Sequence, residues 1–391
     1  MRPEARAQSA IEILDRWLMT GDPAERCLAE WGRANRYAGS GDRRAIADHV
    51  YDAIRRRRSA AWLSGDESGR GLILGLLRLA GGEPDGIFTG GHHAPGALTT
   101  EERAAGRVLP DAPWGVRHDL PDWLEPSLGH LSIETLDRFG ARAPLDLRVN
   151  TLRADVAAAR AALDLAGIEA VGVPDRPTCL RVVTGAHKVH RAPAYLDGLV
   201  EIQDASSQAV AWFAGARPGE TVLDLCAGGG GKTLALAAAM GNTGHLIAHD
   251  IAPARLAQVP PRAERAGAVV SLADPSMLES LEGRCDLVFV DAPCSGSGSW
   301  RRTPEAKWAL TPDRLIELTR MQADVLATAV RMTRPGGRLI YATCSLIPVE
   351  NTEPINQLLS LHAHFSLESM LTLDDLDNGD GFFAARLTKA Q

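Results

Sequence analysis

Two cysteines stand in small-residue turns, Asp291-Ala292-Pro293-Cys294-Ser295-Gly296 and Thr343-Cys344-Ser345, each directly after an apolar run that reads as a strand. A thiol at the carboxyl end of a parallel strand lies in the crevice where open α/β sheets bind ligands, and two such strand ends can bring two sulfurs to one pocket. The chemistry open to such a pair is nucleophilic: one thiolate attacks an electrophilic carbon and a second group assists release. A lone cysteine is more often a small buried hydrophobe, and Cys27, Cys179 and Cys285 read that way.

The elements that must position these turns follow from periodicity. Beyond residue 203 the pattern alternates strand and helix, with strands expected at 221–225, 246–249, 268–272, 286–290 and 338–342. Alternation of this kind gives a doubly wound parallel sheet covered by helices on both faces. Residues 145–203 form a smaller α/β module, with strands at 145–150 and 180–183 and an Ala-rich helix at 156–166. Upstream, Ile11, Leu14 and Leu18, then Ile46, Val50 and Ile54, then Leu72, Leu76 and Leu79 repeat at helical spacing. The Gly- and Pro-rich stretch 81–121 reads as loops around a short helix at 100–106, followed by a helix carrying Trp123, Leu128, Leu131 and Leu136. Three domains are therefore expected, at 1–140, 141–203 and 204–391.

Between the strand at 221–225 and a helix at 234–240 lies Cys226-Ala227-Gly228-Gly229-Gly230-Gly231-Lys232-Thr233. A glycine loop here lets a ligand approach the backbone at a helix amino terminus. The Gly-Lys-Thr triplet does not complete a P-loop, which needs glycine where this chain has Cys226. Asp250 follows the next strand about 20 residues on, where a carboxylate accepts hydrogen bonds from ribose hydroxyls of NAD or S-adenosylmethionine alike. Asp274 and Asp291 follow the third and fourth strands. A row of carboxylates suits a cationic sulfonium and a base bearing amino protons, and would repel a pyrophosphate.

The bulk numbers describe a globular chain of 391 residues, 45% hydrophobic and 23% charged. Six cysteines without a CxxC pair indicate reduced thiols and neither a zinc knuckle nor a disulfide framework, and His92-His93 reads as an exposed pair rather than a metal site. No apolar run is long enough to cross a membrane and no signal sequence is apparent, so a cytoplasmic location is expected. The net charge of −7 argues against indiscriminate coating of nucleic acid but leaves room for a local basic face. The run Arg55 to Arg58 reads either as that face or as a solvated helix end.

The ordered motifs Gln203-Asp204-Ala205-Ser206-Ser207-Gln208, Asp224-Leu225-Cys226-Ala227, Gly230-Gly231-Lys232-Thr233, the two cysteine turns with Arg301-Arg302 and Glu350-Asn351, and Asp380-Gly381-Phe382-Phe383 together resemble the Sun/Fmu family. These are RNA cytosine carbon-5 methyltransferases of the RsmB type. The resemblance runs from Pro144 to the carboxyl terminus. The amino-terminal part resembles a NusB-type RNA-binding domain, best along Ser40-Gly41-Asp42-Arg43-Arg44 through Arg55. One departure is Gly228-Gly229, where the family usually has Ala-Pro; glycine loosens the loop yet still admits a cofactor.

The resemblance implies a seven-stranded Rossmann-like methyltransferase sheet, preceded by the small α/β module and the all-α NusB-like domain. It implies S-adenosylmethionine as cofactor and structured RNA as partner, ribosomal RNA foremost, with a monomer expected and no metal or membrane involved. Cys344 is implied as the nucleophile that adds to carbon 6 of cytosine and Cys294 as the thiol that assists release. Asp291 is expected to hold the base. Cys226, Ala227, Gly228, Gly229, Gly230, Gly231, Lys232, Asp250, Arg255, Asp274 and Asp291 make up the expected cofactor site, and Arg148, Asn150, Arg301 and Arg302 are candidate RNA contacts. The rival readings are a transfer RNA cytosine-C5 methyltransferase and a non-catalytic ribosome-assembly factor on the same fold.

Overall fold

The computed structural model describes residues 1–104 and 107–391, which divide into two compact units. One comprises Met1–Arg142 together with Trp300–Ala309, and the other Ala143–Ser299 with Leu310–Gln391.

The first unit is helical. Helices Pro3–Thr20, Ala24–Ala34, Ser40–Arg55, Arg57–Ser64 and Gly69–Leu79 bury Ile11, Leu14, Ile46, Val50, Ile54 and Leu72 in one core. The periodicity therefore marks the right faces, because residues three and four apart share one side of a helix. The short helix expected at 100–106 is Thr100–Ala104; residues 105 and 106 lie outside the described residues. The single helix expected around residues 123–136 is broken into Asp122–Leu124, Glu125–Leu128 and Ile133–Arg138. Ser132 restarts the chain there by accepting a hydrogen bond from the Thr135 amide at 3.2 Å.

The arginines of the basic run are engaged within the helical unit, Arg55 buried and Arg56, Arg57 and Arg58 half-buried. Arg55 is buried and donates to the Arg301 carbonyl at 3.2 Å, Arg56 donates to the Gly140 carbonyl at 2.9 Å, and Arg58 pairs with Asp122 at 2.7 Å. Arg57 lies over the rings of Trp17 and Trp308. Residues 300–309, which the sequence places in the third domain, pack with these helices through Trp300 and Lys307, both wholly buried. Lys307 donates to the Arg55 carbonyl at 2.7 Å, and burial pushes its amine down to about 7. Arg301, expected to touch RNA, is buried in this packing, whereas Arg302 is exposed.

The second unit holds two sheets. Strands β1 (Asp146–Val149), β2 (Glu169–Val173), β3 (Arg176–Thr184) and β4 (Val200–Ile202) form an antiparallel sheet in the order β2-β3-β1-β4. The larger sheet contains β5 (Thr221–Asp224), β6 (His245–Ala248), β7 (Ser271–Leu272), β8 (Cys285–Asp291), β9 (Thr333–Thr343), β10 (Phe365–Leu373) and β11 (Phe382–Lys389) in the order β10-β11-β9-β8-β5-β6-β7. Strands β5 to β9 pair in parallel, and β11 returns antiparallel beside β9. Successive residues bury on opposite faces: Val288 and Val290 pack with Leu326, Ala329 and Ile355, whereas Leu287 and Phe289 pack with Val210, Leu236 and Met240. Burial on both faces is why these strands read as near-continuous apolar runs. The strand order reverses between β6-β5 and β8-β9, which opens a crevice beyond the carboxyl ends of β5 and β8.

Candidate active site

Five strand-to-helix turns deliver the predicted residues to that crevice or its rim. After β5 the chain turns through Gly228 and Gly230, at φ of 54° and 85°, before the helix Gly231–Met240. That left-handed backbone is open to glycine and strained for other residues, and a Cβ at Gly228 would lie 2.5 Å from the Arg255 guanidinium. Asp250, after β6, fixes the loop: its two oxygens accept from the Gly228 amide at 2.7 Å and the Ala252 amide at 2.8 Å. Asp274, after β7, is exposed and caps the next helix by accepting from the Met277 amide at 2.8 Å. Cys226 remains protonated because burial, then the charges of Asp224, Asp291 and Asp250, push its thiol far up.

A residue without an assigned role from sequence stands at the base of this loop. Asp224 ends β5 wholly buried; its Oδ2 accepts from Thr233 at 2.7 Å, and its Oδ1 has no hydrogen-bond partner among the described residues. Burial pushes this carboxyl up to about 7. An orphaned buried acceptor beside two further carboxylates suits a cationic ligand with donors to offer, so the residues present fit a sulfonium-bearing amino-acid nucleoside.

The two cysteine turns meet after β8 and β9. Cys294 Sγ and Cys344 Sγ lie 3.4 Å apart, in hydrogen-bond contact and well beyond a disulfide bond. The pair is unequal: the hydrogen bond from Cys294 lowers the Cys344 thiol, with the Lys232 charge assisting against burial, while Cys294 is pushed well up by that bond and by burial. Lys232 Nζ bridges to Asp291 Oδ2 at 2.7 Å and lies 4.9 Å from the Phe382 ring centre. Burial opposes its charge, but Asp291, Cys344 and Asp224 more than compensate and hold the ammonium above its usual range.

Both cysteine turns are tied to one fully buried carboxylate. Glu350 accepts from the Ser295 amide at 2.8 Å, the Ser295 hydroxyl at 2.5 Å, the Ser345 hydroxyl at 2.5 Å and Gln322 at 3.1 Å. Gln322, on the helix Pro312–Met332, also donates to the Pro293 carbonyl at 2.9 Å. The signal available in the sequence was a serine directly after each cysteine, with an acid six residues beyond Cys344.

Two expected RNA contacts are corrected. Arg148 is buried and donates to Gln203 at 2.8 Å and to the Gly231 carbonyl at 2.9 Å, and burial lowers its guanidinium to about 10. Asn150 is buried and donates to the carbonyls of Gly198 and Ala266 at 2.8 and 2.7 Å. Neither has a solvent face to offer a phosphate; they brace the small sheet against the loop and helices of the large one.

The chain is similar to known methyltransferases. The profile of the family described as 16S rRNA methyltransferase RsmB/F matches residues 212–388. The ribosomal RNA small subunit methyltransferase B of Klebsiella pneumoniae is 36% identical over 268 residues, covering 66% of this chain and 62% of that protein. The Salmonella arizonae protein of the same name is 35% identical over 260 residues, covering 63% and 60%. The chain thus spans about three fifths of the length of these relatives. A methyltransferase homologue from Pyrococcus horikoshii has a TM-score of 0.60 at 28% identity, covering 68% of this chain and 93% of that one. The protein PH0851 has a TM-score of 0.75 at 24% identity, covering 100% and 99%, a likeness of fold. Over residues 212–388 the chain is thus similar to the RsmB/F-type rRNA methyltransferases, and its fold is similar to that of the Pyrococcus horikoshii methyltransferase homologue.

Proposed function

We propose that this protein is a cytoplasmic enzyme that transfers a methyl group from S-adenosylmethionine to carbon 5 of a cytosine in ribosomal RNA, through a covalent bond between Cys344 and carbon 6. The observation that carries the reading is the 3.4 Å contact between two thiols of which Cys344 is the more acidic. Carbon 5 of cytosine is a poor nucleophile until a thiolate adds to carbon 6 and turns the ring into an enamine. The cofactor supplies an electrophilic methyl group. Cys344 makes the attack, and Asp291, held by Lys232, accepts hydrogen bonds from the cytosine edge. Once Cys344 is bound to carbon 6 its charge no longer holds the proton on Cys294, which loses that proton to solvent. After methylation the Cys294 thiolate, 3.4 Å from the Cys344 sulfur in the resting pair, takes the carbon-5 proton, the ring double bond re-forms and Cys344 leaves as a thiolate. Residues 226–232, Asp250, Arg255, Asp274 and Asp291 form the cofactor site, and the exposed Arg302 contacts RNA.

Bisulfite sequencing of total RNA from cells with and without the gene tests the substrate. The expected result is one protected cytosine in ribosomal RNA that depends on the gene; a dependent site confined to transfer RNA, or none, contradicts the proposal.

The cofactor assignment has its own test. Asp250→Ala removes the acceptor for ribose and releases the Gly228 amide, so S-adenosylmethionine binding is expected to weaken by about 2 kcal/mol. Calorimetric titration reads this directly, and unchanged affinity would remove Asp250 from the site.

A further inference from the structure

Two chemically identical thiols 3.4 Å apart need something to decide which gives up its proton. The surrounding charges are not symmetrical. Glu350 takes two hydrogen bonds from Ser295, the residue after Cys294, and shares Gln322 with the Pro293 carbonyl just before it. A single bond, from the Ser345 hydroxyl, ties it to the other turn. The Lys232 ammonium stands instead where it stabilises charge on Cys344. The second turn is further fixed by the Gly298 amide, which donates to the Cys344 carbonyl at 2.9 Å, and by Ser297 and Ser345, whose hydroxyls are 3.0 Å apart.

We propose that Glu350 is a positioning residue that assigns the two cysteines their roles: its buried carboxylate clamps both turns through Ser295 and Ser345, and its charge beside the Cys294 turn keeps the proton on Cys294. The Cys294 thiol then donates to Cys344, which is left as the attacking sulfur. Glu350 touches neither thiol, so it acts through the serines and through its field. A buried carboxylate with this many donors is costly to disturb, because each donor left unpaired carries its own desolvation penalty. The same field raises Cys294 in proton affinity, in agreement with the geometry.

The proposal deepens the reading of Cys344 as nucleophile and rests on it for its meaning in catalysis. Its test needs neither RNA nor cofactor, so the two can fail separately. The full-length protein is alkylated with limiting iodoacetamide at neutral pH, and the rates at Cys344 and Cys294 are read separately by peptide mass spectrometry. In the unaltered protein Cys344 is expected to react faster. Glu350→Gln is expected to narrow the ratio about tenfold, because the amide keeps the shape and loses the charge. Loosening of the fold alone would speed both thiols together and leave the ratio unchanged. Ser295→Ala keeps Glu350 and the Ser295 amide bond while removing one tether; it is expected to narrow the ratio in the same direction by less, and it decides the matter if Glu350→Gln does not fold. A ratio unchanged in the folded variants, or a faster Cys294 in the unaltered protein, overturns the proposal.

Discussion

Cys344→Ala is expected to lower methyl transfer by on the order of 10⁴-fold or more, because in the proposed mechanism its sulfur is the group that adds to the cytosine ring. The other thiols cannot substitute. Burial and three carboxylates push the Cys226 thiol far up, and the bond with Cys344 and burial push the Cys294 thiol well up. Binding of S-adenosylmethionine should be unaffected, since the loop after β5 and its Asp250 clamp do not depend on Cys344. Methylation assays beside calorimetric titration check both halves, and substantial turnover by Cys344→Ala would refute the assignment.

The second large effect is expected from a backbone position. Gly298, four residues after Cys294, packs so closely against Gly381 that a Cβ would stand 2.0 Å from the Gly381 carbonyl oxygen. The Gly381 amide donates to the Gly298 carbonyl at 2.9 Å, and the Gly298 amide donates to the Cys344 carbonyl at the same distance. Gly298→Ala must therefore push apart the start of β11 and the turn that carries the thiols. Overpacking of this kind costs about 1 to 3 kcal/mol or more. A lower melting temperature and a loss of turnover exceeding tenfold are expected together. Wild-type melting and wild-type rates would mean that the two segments separate freely.

The motif Asp380-Gly381-Phe382-Phe383 acquires its physical reason from this contact, which sequence could not supply. Strands β5 and β8 were legible because burial on both faces leaves runs such as Asp286-Leu287-Val288-Phe289-Val290 ending at a turn. β10 was harder to read: Phe365–Leu373 lies at the edge of the sheet with most of its side chains exposed, and an irregularity between Leu367 and Ser369 interrupts its polar-apolar alternation. The placement of residues 300–309 was hidden for a different reason. Lys307 and Arg55 meet across 252 positions of sequence, and no local pattern announces a buried lysine.

Arg148 and Asn150 illustrate the same limit inside the small sheet. A polar residue on a strand has one appearance in sequence whether its partner is a phosphate or a buried carbonyl, and here both partners are carbonyls or amides of the chain itself. The cysteine pair was legible because its turns end strands whose parallel pairing is itself legible, so that two distant motifs are forced to one edge. Taken alone, Glu350 carries no sequence sign of its role, which rests on three bonds from the two turns and a fourth from Gln322.

In the proposed mechanism the two thiols act at different times, Cys344 in attack and Cys294 in release. A denaturing gel of Cys294→Ala incubated with ribosomal RNA and S-adenosylmethionine tests it most directly. Attack and methylation proceed in this variant while elimination slows, so a denaturant-resistant protein-RNA complex is expected to accumulate, and none is expected with Cys344→Ala. A complex trapped by Cys344→Ala and not by Cys294→Ala would reverse the proposed roles of the two thiols.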